Sequence, residues 1–557
     1  MPPRTVKRVK KTSGLRHWMQ RVLEECDHVA AGFSADPVHD LRVALRRCRS
    51  MADGLMAIDP DPDWKRMKKA GKRLFQRLGE LRDIQIMMEW IEKLHPTEAS
   101  VEPASVARAP SPALPQSEHD PGIEHAAATE APNHGRDPVA HALLEILRRR
   151  EDEQKHEARA ALEEFDRKQW RQWSKSLPVR AAHIRPGSAV FKHLALERWT
   201  AARELHTRAL RNRSQVAFHT LRIGIKRFRY IVENFLPAEH KKWSNDLKQM
   251  QDLLGEVHDL DVLWATALSC RVFPDEDSRR RWHARILEER TKRIEGYRQR
   301  MTGPNSLWQV WRGGLPQGKQ IQEIATRRMK LWAKALDPDF AHSERVARLA
   351  LELYDGLNSV GLLGSLNGAG ANANGDVRGS LFLAALLHDV GKSKGNKGHH
   401  KISLELIKTR GAPLGWKTED MQRAAIVARF HCGALPTRSH KTLRDLLPNE
   451  QKITIQLAAI LRLANALDVS HDGQIRRVQV EPGTSSRMAP PNCVTVAAEG
   501  YSARSDTARA VAAERYLLEM LLRRPVLIRP MNTAPRVSGR TPAKVSRLRK
   551  TRFSILL

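Results

Sequence analysis

The chain has 557 residues, 41% apolar and 28% charged, which is long enough for two or three domains with sizeable cores. Ninety-five Lys and Arg against 63 Asp and Glu leave a net charge of +32, which favours an anionic partner but does not by sign distinguish nucleic acid, anionic lipid and polyphosphate. The five scattered cysteines form no CxxC pair, arguing against a disulfide framework or structural zinc knuckle, and no run of about 18 apolar residues offers a membrane span.

The N-terminus, MPPRTVKRVKK, is basic but no apolar stretch succeeds it, so the expected location is the cytoplasm. Most of the chain reads as helix, with apolar residues at i, i+3 and i+4. A repeat organises the N-terminal half. HDLRVALRRCRS (39–50) returns as HTLRIGIKRFRY (219–230), Trp64 returns as Trp243, and LGELRDIQIM (78–87) returns as LGEVHDLDVL (254–263). Three anchors in the same order at nearly the same offset show that one helical unit occurs here twice. Between the copies, residues 96–137 carry seven prolines and seven acidic residues but only four large aliphatics, the composition of a disordered insertion.

The repeated helix has a definite chemistry. His39, Arg42, Arg46 and Arg49 are spaced to share one stripe, as are His219, Arg222, Lys226 and Arg229. Leu41, Leu45 and Cys48 form the apolar stripe of the first copy, and Leu221, Ile225 and Phe228 that of the second. At about 100° per residue the cationic stripe flanks the apolar one, so two helices packed by their cores would turn their cations toward a shared groove. Clustered cations repel unless an anion binds, and the guanidinium fork pairs well with phosphate oxygens. Lys65, Lys68, Lys69, Lys72 and Arg73 extend the basic surface.

The repeated His-x-x-Arg-x-x-x-Arg/Lys-x-x-Arg helix with its Leu-Gly-Glu…Asp segment resembles the CHAD family, the conserved histidine α-helical domain, over roughly residues 10–300. The resemblance implies a two-repeat helical bundle whose basic cavity binds inorganic polyphosphate, with the eight stripe residues named above as its contacts. Association with polyphosphate granules would be expected with that partner. The long acidic insertion departs from the compact pattern of the family.

Further along, FLAALLHDVGK (382–392) sets His388 and Asp389 side by side near the end of an apolar helix, after the Asn/Gly-rich loop 367–375. Such a pair can chelate one divalent cation, with the aspartate free to bridge to a second. Other candidate ligands come in order: His342, His399 or His400, His431 and Asp468. HSERVARLALELYDGL, LFLAALLHDVGK, IVARFHCGALP and RLANALDVSH resemble the HD-type phosphohydrolases, most of all the C-terminal helical domain of the exopolyphosphatase/guanosine pentaphosphatase (Ppx/GppA) family. This domain is expected over 318–530. The resemblance implies His342, His388, Asp389 and Asp468 as metal ligands, His399 and His431 for a second ion, and Lys392 as a holder of a phosphate oxygen beside the catalytic pair. The ion would be Mn, Mg, Fe or Zn. The actin-like catalytic domain of those exopolyphosphatases has no counterpart here, so any hydrolysis would fall to the HD-type site.

IRRVQV (475–480), CVTVAA (493–498) and PVLIRP (525–530) read as short strands around a helix at 507–523, and 531–557 reads as a basic flexible tail. The expected fold is mainly α: a two-repeat helical bundle, then an all-helical HD-type domain with a small C-terminal α+β extension. The expected function is polyphosphate binding coupled to metal-dependent hydrolysis of polyphosphate or a related phosphoanhydride. The alternatives are a non-catalytic binding module, a phosphohydrolase of guanosine tetra- or pentaphosphate, and a nucleic-acid binder. Aromatics are only 5%, and no RNP, KH or helix-turn-helix signature supports the last.

Overall fold

The computed structural model describes residues 14–94, 137–364, 376–481 and 492–531. The insertion at 96–137 up to Arg136, the loop 367–375 and all of the tail but Met531 lie outside them. Among the described residues helix dominates, with three short strands near the C-terminal end. The chain divides into two compact units, one reaching Ala335 and taking in Pro413–Trp416, the other made of the remainder.

In the first unit, Leu15–Ala31 pairs with Ala35–Met56 as Ala189–Asn212 pairs with Gln215–Phe235. The two cation-bearing helices, Ala35–Met56 and Gln215–Phe235, pack against each other and against the helices Lys72–Leu94 and Pro237–Ser269. The copies differ at one point. The second ends in one 33-residue helix, whereas the first is broken at Gly71 between Pro62–Ala70 and Lys72–Leu94. The apolar stripes are the core: Leu41, Leu45, Cys48, Leu221, Ile225 and Phe228 are all fully buried. Each large member contributes roughly 1.5–3 kcal/mol by leaving water. Trp64 and Trp243 are buried in the same cluster. A second, smaller core gathers Trp90, Leu143, Leu147, Leu260 and Trp282. Helix Pro138–Glu163 starts on an Asp137 side chain that accepts from the Val139 amide, with proline at the first helical position.

In the second unit, Val377–Leu387 is buried nearly all round because it sits between Phe340–Ser359, Thr418–Arg429 and Pro448–Leu467. Strand β1 (Arg477–Glu481) pairs antiparallel with β2 (Val494–Glu499), which pairs parallel with β3 (Val526–Pro530). Val478 and Val480 alternate with exposed neighbours and face helix Phe340–Ser359. At Gly356 of that helix a Cβ would lie 2.7 Å from a Val480 methyl, so glycine admits the strand. The helix expected at 507–523 is two, Asp506–Glu514 and Tyr516–Leu522, separated at Arg515.

Candidate functional site: a cationic cluster and a histidine–aspartate cluster

Arg42 and Arg222 are equivalent in the repeat and meet equivalent neighbours. A Cβ on Gly79 would sit 3.5 Å from Arg42 Nη2, and one on Gly255 would sit 3.9 Å from Arg222 Nε. The glycine of each Leu-Gly-Glu segment thus lies against the arginine of its own cationic helix, at ordinary van der Waals distance. Arg46 and Lys226 lie over the Tyr230 ring, 5.9 and 6.0 Å from its centroid. Arg46 Nε and Arg222 Nε are buried without any hydrogen-bond acceptor. Unsatisfied buried donors cost about 1–3 kcal/mol each, and an anion is what would satisfy these.

Burial, then Arg222, Arg46 and Arg42, bring the Lys226 ammonium down to about 7. Burial raises Asp259 to about 6 even though Arg222 opposes it. His219 and His258 face each other with their Nδ1 atoms 3.2 Å apart. Burial and neighbouring cations, Arg222 first, lower both, His258 to about 4. His39 is lowered in the same way, by burial and then Arg46.

Stripe residues are also engaged within the chain, Arg42 among them, since its Nη1 donates to the Gly79 carbonyl at 3.4 Å. Arg49 donates to the Lys68 carbonyl at 2.6 Å, and Arg229 turns toward Glu233 at 3.8 Å. Arg47, which lies off the stripe, reaches Glu233 as well and so ties the two repeats together. The spacing of the stripe carries no sign of this.

In the second unit, His388 caps the end of Val377–Leu387, and Asp389 comes next at the start of a 3-10 turn, Val390–Lys394. Gly391 lets helix His399–Arg410 come against that turn, because a Cβ there would lie 2.1 Å from the His399 carbonyl oxygen. Ser403 Oγ locks the contact, donating to the His388 carbonyl at 2.7 Å and accepting from the Gly391 amide at 2.9 Å. His342 stands in the first turn of Phe340–Ser359, whose N-cap is Asp339.

The donor atoms of His342, His388 and Asp389 lie within 4.8 Å of one another, and those of His399, His431 and Cys432 form a second such group. Asp389 Oδ1 adjoins the second group, 3.2 Å from His399 Nε2 and 3.7 Å from His431 Nε2. Three imidazoles share one orientation. Nδ1 of His388, His399 and His431 donates to the carbonyl oxygens of Ala385, Asn396 and Ala428 at 2.7–2.8 Å, which turns each Nε2 inward. His388 Nε2 and Asp389 Oδ1 are buried with no aligned hydrogen-bond partner. A divalent ion fits these donors: inward imidazole nitrogens, a buried carboxylate and two orphaned atoms.

Burial opposes ionisation of Asp389, but His388, then His399, outweigh it and hold the carboxyl far below its usual range. The nearby Asp389 carboxylate, then Cys432, raise His399 to about 10. Lys392 donates to Asp389 Oδ2 at 2.6 Å. Asp468 is likewise engaged. It accepts from His342 Nδ1 at 2.7 Å, from Arg345 Nε at 2.9 Å and from the Gly473 amide at 3.2 Å. Among the described residues it does not fall in the His342 group, and His342 Nε2 in turn lies 3.0 Å from Asn465 Oδ1. His471 stacks on His342 at 3.8 Å. Cys432, Arg345 and His471 carried no signal of their own in the sequence, although Cys432 directly succeeds a predicted ligand.

Residues 14–268 match the family model of the CHAD domain, and residues 324–489 match that of the Ppx/GppA phosphatase, domain III. The chain thus joins a CHAD domain to a Ppx/GppA domain III. Among solved structures it is similar to one described as the crystal structure of the CHAD domain from the plant Ricinus communis, at 18% identity and a TM-score of 0.32, covering 56% of this chain and 96% of that one. No curated protein matches the chain. Among the described residues, no helix is long and apolar enough to cross a membrane.

Proposed function

We propose that the protein binds inorganic polyphosphate through the cationic cluster of its CHAD domain and hydrolyses it, or a related phosphoanhydride, at the histidine–aspartate cluster of its second unit. The observation that carries the binding half is the pair of buried, unsatisfied Arg46 and Arg222 Nε donors amid cations from both repeats. A chain of phosphates offers an acceptor to each, and its charge relieves the repulsion among Arg42, Arg46, Arg222 and Lys226.

The catalytic half rests on the fit of the cluster to a divalent ion. His388 and Asp389 would hold it with His342, which Asp468 orients, and His399 and His431 would complete a neighbouring position. When bound, such an ion supplies an acidified water and charge neutralisation. The residues of the chain then have separate tasks. Lys392, held against Asp389, stands at the edge of the pocket, and the backbone carbonyls of Ala385, Asn396 and Ala428 fix the imidazole tautomers. Holding the polyanion on the same chain raises its concentration at the hydrolytic site.

One observation favours a second reading, a non-catalytic module. Asp389 and Asp468 already have cationic partners within the chain, Lys392 and Arg345. Phosphate release separates the two. Purified protein incubated with long-chain polyphosphate and with a panel of nucleotides, including guanosine tetraphosphate, should release phosphate only with Mn²⁺ or Mg²⁺ present. Metal uptake and polyphosphate binding without any release would establish the module instead.

A further inference from the structure

His399, His431 and Cys432 form a donor set unlike the one beside it. His399 Nε2 and His431 Nε2 are 3.1 Å apart, and Cys432 Sγ lies 3.9 Å from His399 Nε2 and 3.5 Å from His400 Nδ1. Asp389 Oδ1 lies 3.2 Å from His399 Nε2 and 3.7 Å from His431 Nε2. The segment that carries His431 and Cys432 is held on both flanks by one buried side chain. Arg462 Nη1 donates to the Phe430 carbonyl and Nη2 to the Gly433 carbonyl, both at 3.1 Å, while Nε is anchored on Glu514 at 2.6 Å. Gly433 turns the chain with a φ of +74°, which favours glycine, and a Cβ there would come 3.7 Å from the His400 ring. A cysteine held this firmly beside two inward imidazole nitrogens is placed as a ligand is placed.

We infer that His399, His431 and Cys432, with Asp389 as a shared fourth donor, form a thiolate-containing position for a borderline-soft divalent ion of the zinc class. This rests on the metal reading of the neighbouring cluster and adds to it a difference in kind between two positions. Two imidazoles, a thiolate and a carboxylate make a four-donor set suited to tetrahedral zinc, whereas the His342, His388 and Asp389 group has no sulfur. Binding converts the Cys432 thiol to a thiolate and releases its proton to solvent. The two positions therefore differ in metal preference, and the softer one is the more exposed, since Cys432 and His399 are only half-buried.

Cobalt(II) titration of the full-length protein reads this directly, because a thiolate bound to cobalt gives a near-ultraviolet charge-transfer band that imidazole and carboxylate do not. The wild type should develop the band, Zn²⁺ should abolish it, and Mg²⁺ should leave it unchanged. Cys432→Ser should lose the band while keeping its helical circular dichroism. As a second readout, Zn²⁺ should protect Cys432 from alkylation, located by peptide mass. Cobalt binding without the band, or a band that persists in Cys432→Ser, overturns the thiolate assignment and leaves the metal reading of the other group standing. Failure of the folded wild type to bind any cobalt overturns both.

Discussion

Arg46 from the first repeat and Lys226 from the second lie over the same aromatic ring, that of Tyr230, at 5.9 and 6.0 Å from its centroid. Two cations that would otherwise repel thus share one aromatic ring, across the two halves of the CHAD domain. No acceptor reaches Arg46 Nε or the Tyr230 hydroxyl there. The cluster is built, and energetically it is incomplete.

The first prediction concerns pH. Lys226 titrates near 7 in the free protein, faced by Arg42, Arg46 and Arg222, with Asp83 opposing them. A bound polyanion favours the ammonium form, so the pKa in the complex is higher than in the free protein. Affinity is then greatest below pH 7 and falls as pH rises above it, by up to about tenfold per pH unit for one proton. Asp259, near 6, acts with the same sign, because an anion disfavours its carboxylate. Lys226→Arg, which stays charged, should flatten the decline between pH 7 and pH 9 in a polyphosphate-binding titration. A decline as steep as in the wild type would refute the assignment to Lys226.

The second concerns the approach of helix His399–Arg410 to the His-Asp turn. Gly391→Ala sets a methyl 2.1 Å from the His399 carbonyl oxygen and 2.7 Å from the Ser403 amide, and both are backbone atoms with little freedom to give. The cost should reach the upper end of the roughly 1–3 kcal/mol that overpacking carries, or exceed it. Thermal unfolding should show a lowered transition, and divalent metal uptake should weaken with it. An unchanged melting temperature together with unchanged uptake would mean that the contact is looser than described.

Ligands and orienting residues should differ in the third test. Asp389 offers a buried, orphaned oxygen, whereas Asp468 has its oxygens taken by His342, Arg345 and the Gly473 amide. Asp389→Ala should abolish divalent metal binding. Asp468→Asn should keep it at about 10- to 100-fold lower affinity, the range typical of a lost second partner to a ligating histidine. Calorimetric titration with Mn²⁺ separates the two, and equal losses would place Asp468 among the ligands.

Much of this was legible in the residues alone. Spacing put Leu41, Leu45 and Cys48 on one stripe and Leu221, Ile225 and Phe228 on its counterpart, and all six are core. IRRVQV, CVTVAA and PVLIRP read as the short strands that became β1, β2 and β3. Spacing along a helix fixes the face a side chain leaves from, and says nothing about what reaches it from another helix. That is why the stripe residues read as equals, although Arg42 bonds the Gly79 carbonyl, Arg49 the Lys68 carbonyl, and Arg229 turns to Glu233. The same limit hid the pairing of Arg345 with Asp468, 123 residues apart. Gly79 and Gly255 were seen as members of a repeated motif. Their place beside Arg42 and Arg222 emerges only when the helices are packed.

The central claim is that cations from both repeats hold one polyanion. Equilibrium binding of long-chain polyphosphate, measured across a salt series, tests it most directly with a variant carrying Arg42→Ala, Arg46→Ala, Arg222→Ala and Lys226→Ala. Its circular dichroism should match the wild type, since these side chains flank the core without forming it. Affinity should fall by at least about 100-fold, as expected when even two charge-assisted contacts of roughly 1.5 kcal/mol each are lost. The dependence of log affinity on log salt should flatten by about one unit for each cation that no longer neutralises a phosphate. A folded variant that binds with the affinity and salt slope of the wild type would contradict the account.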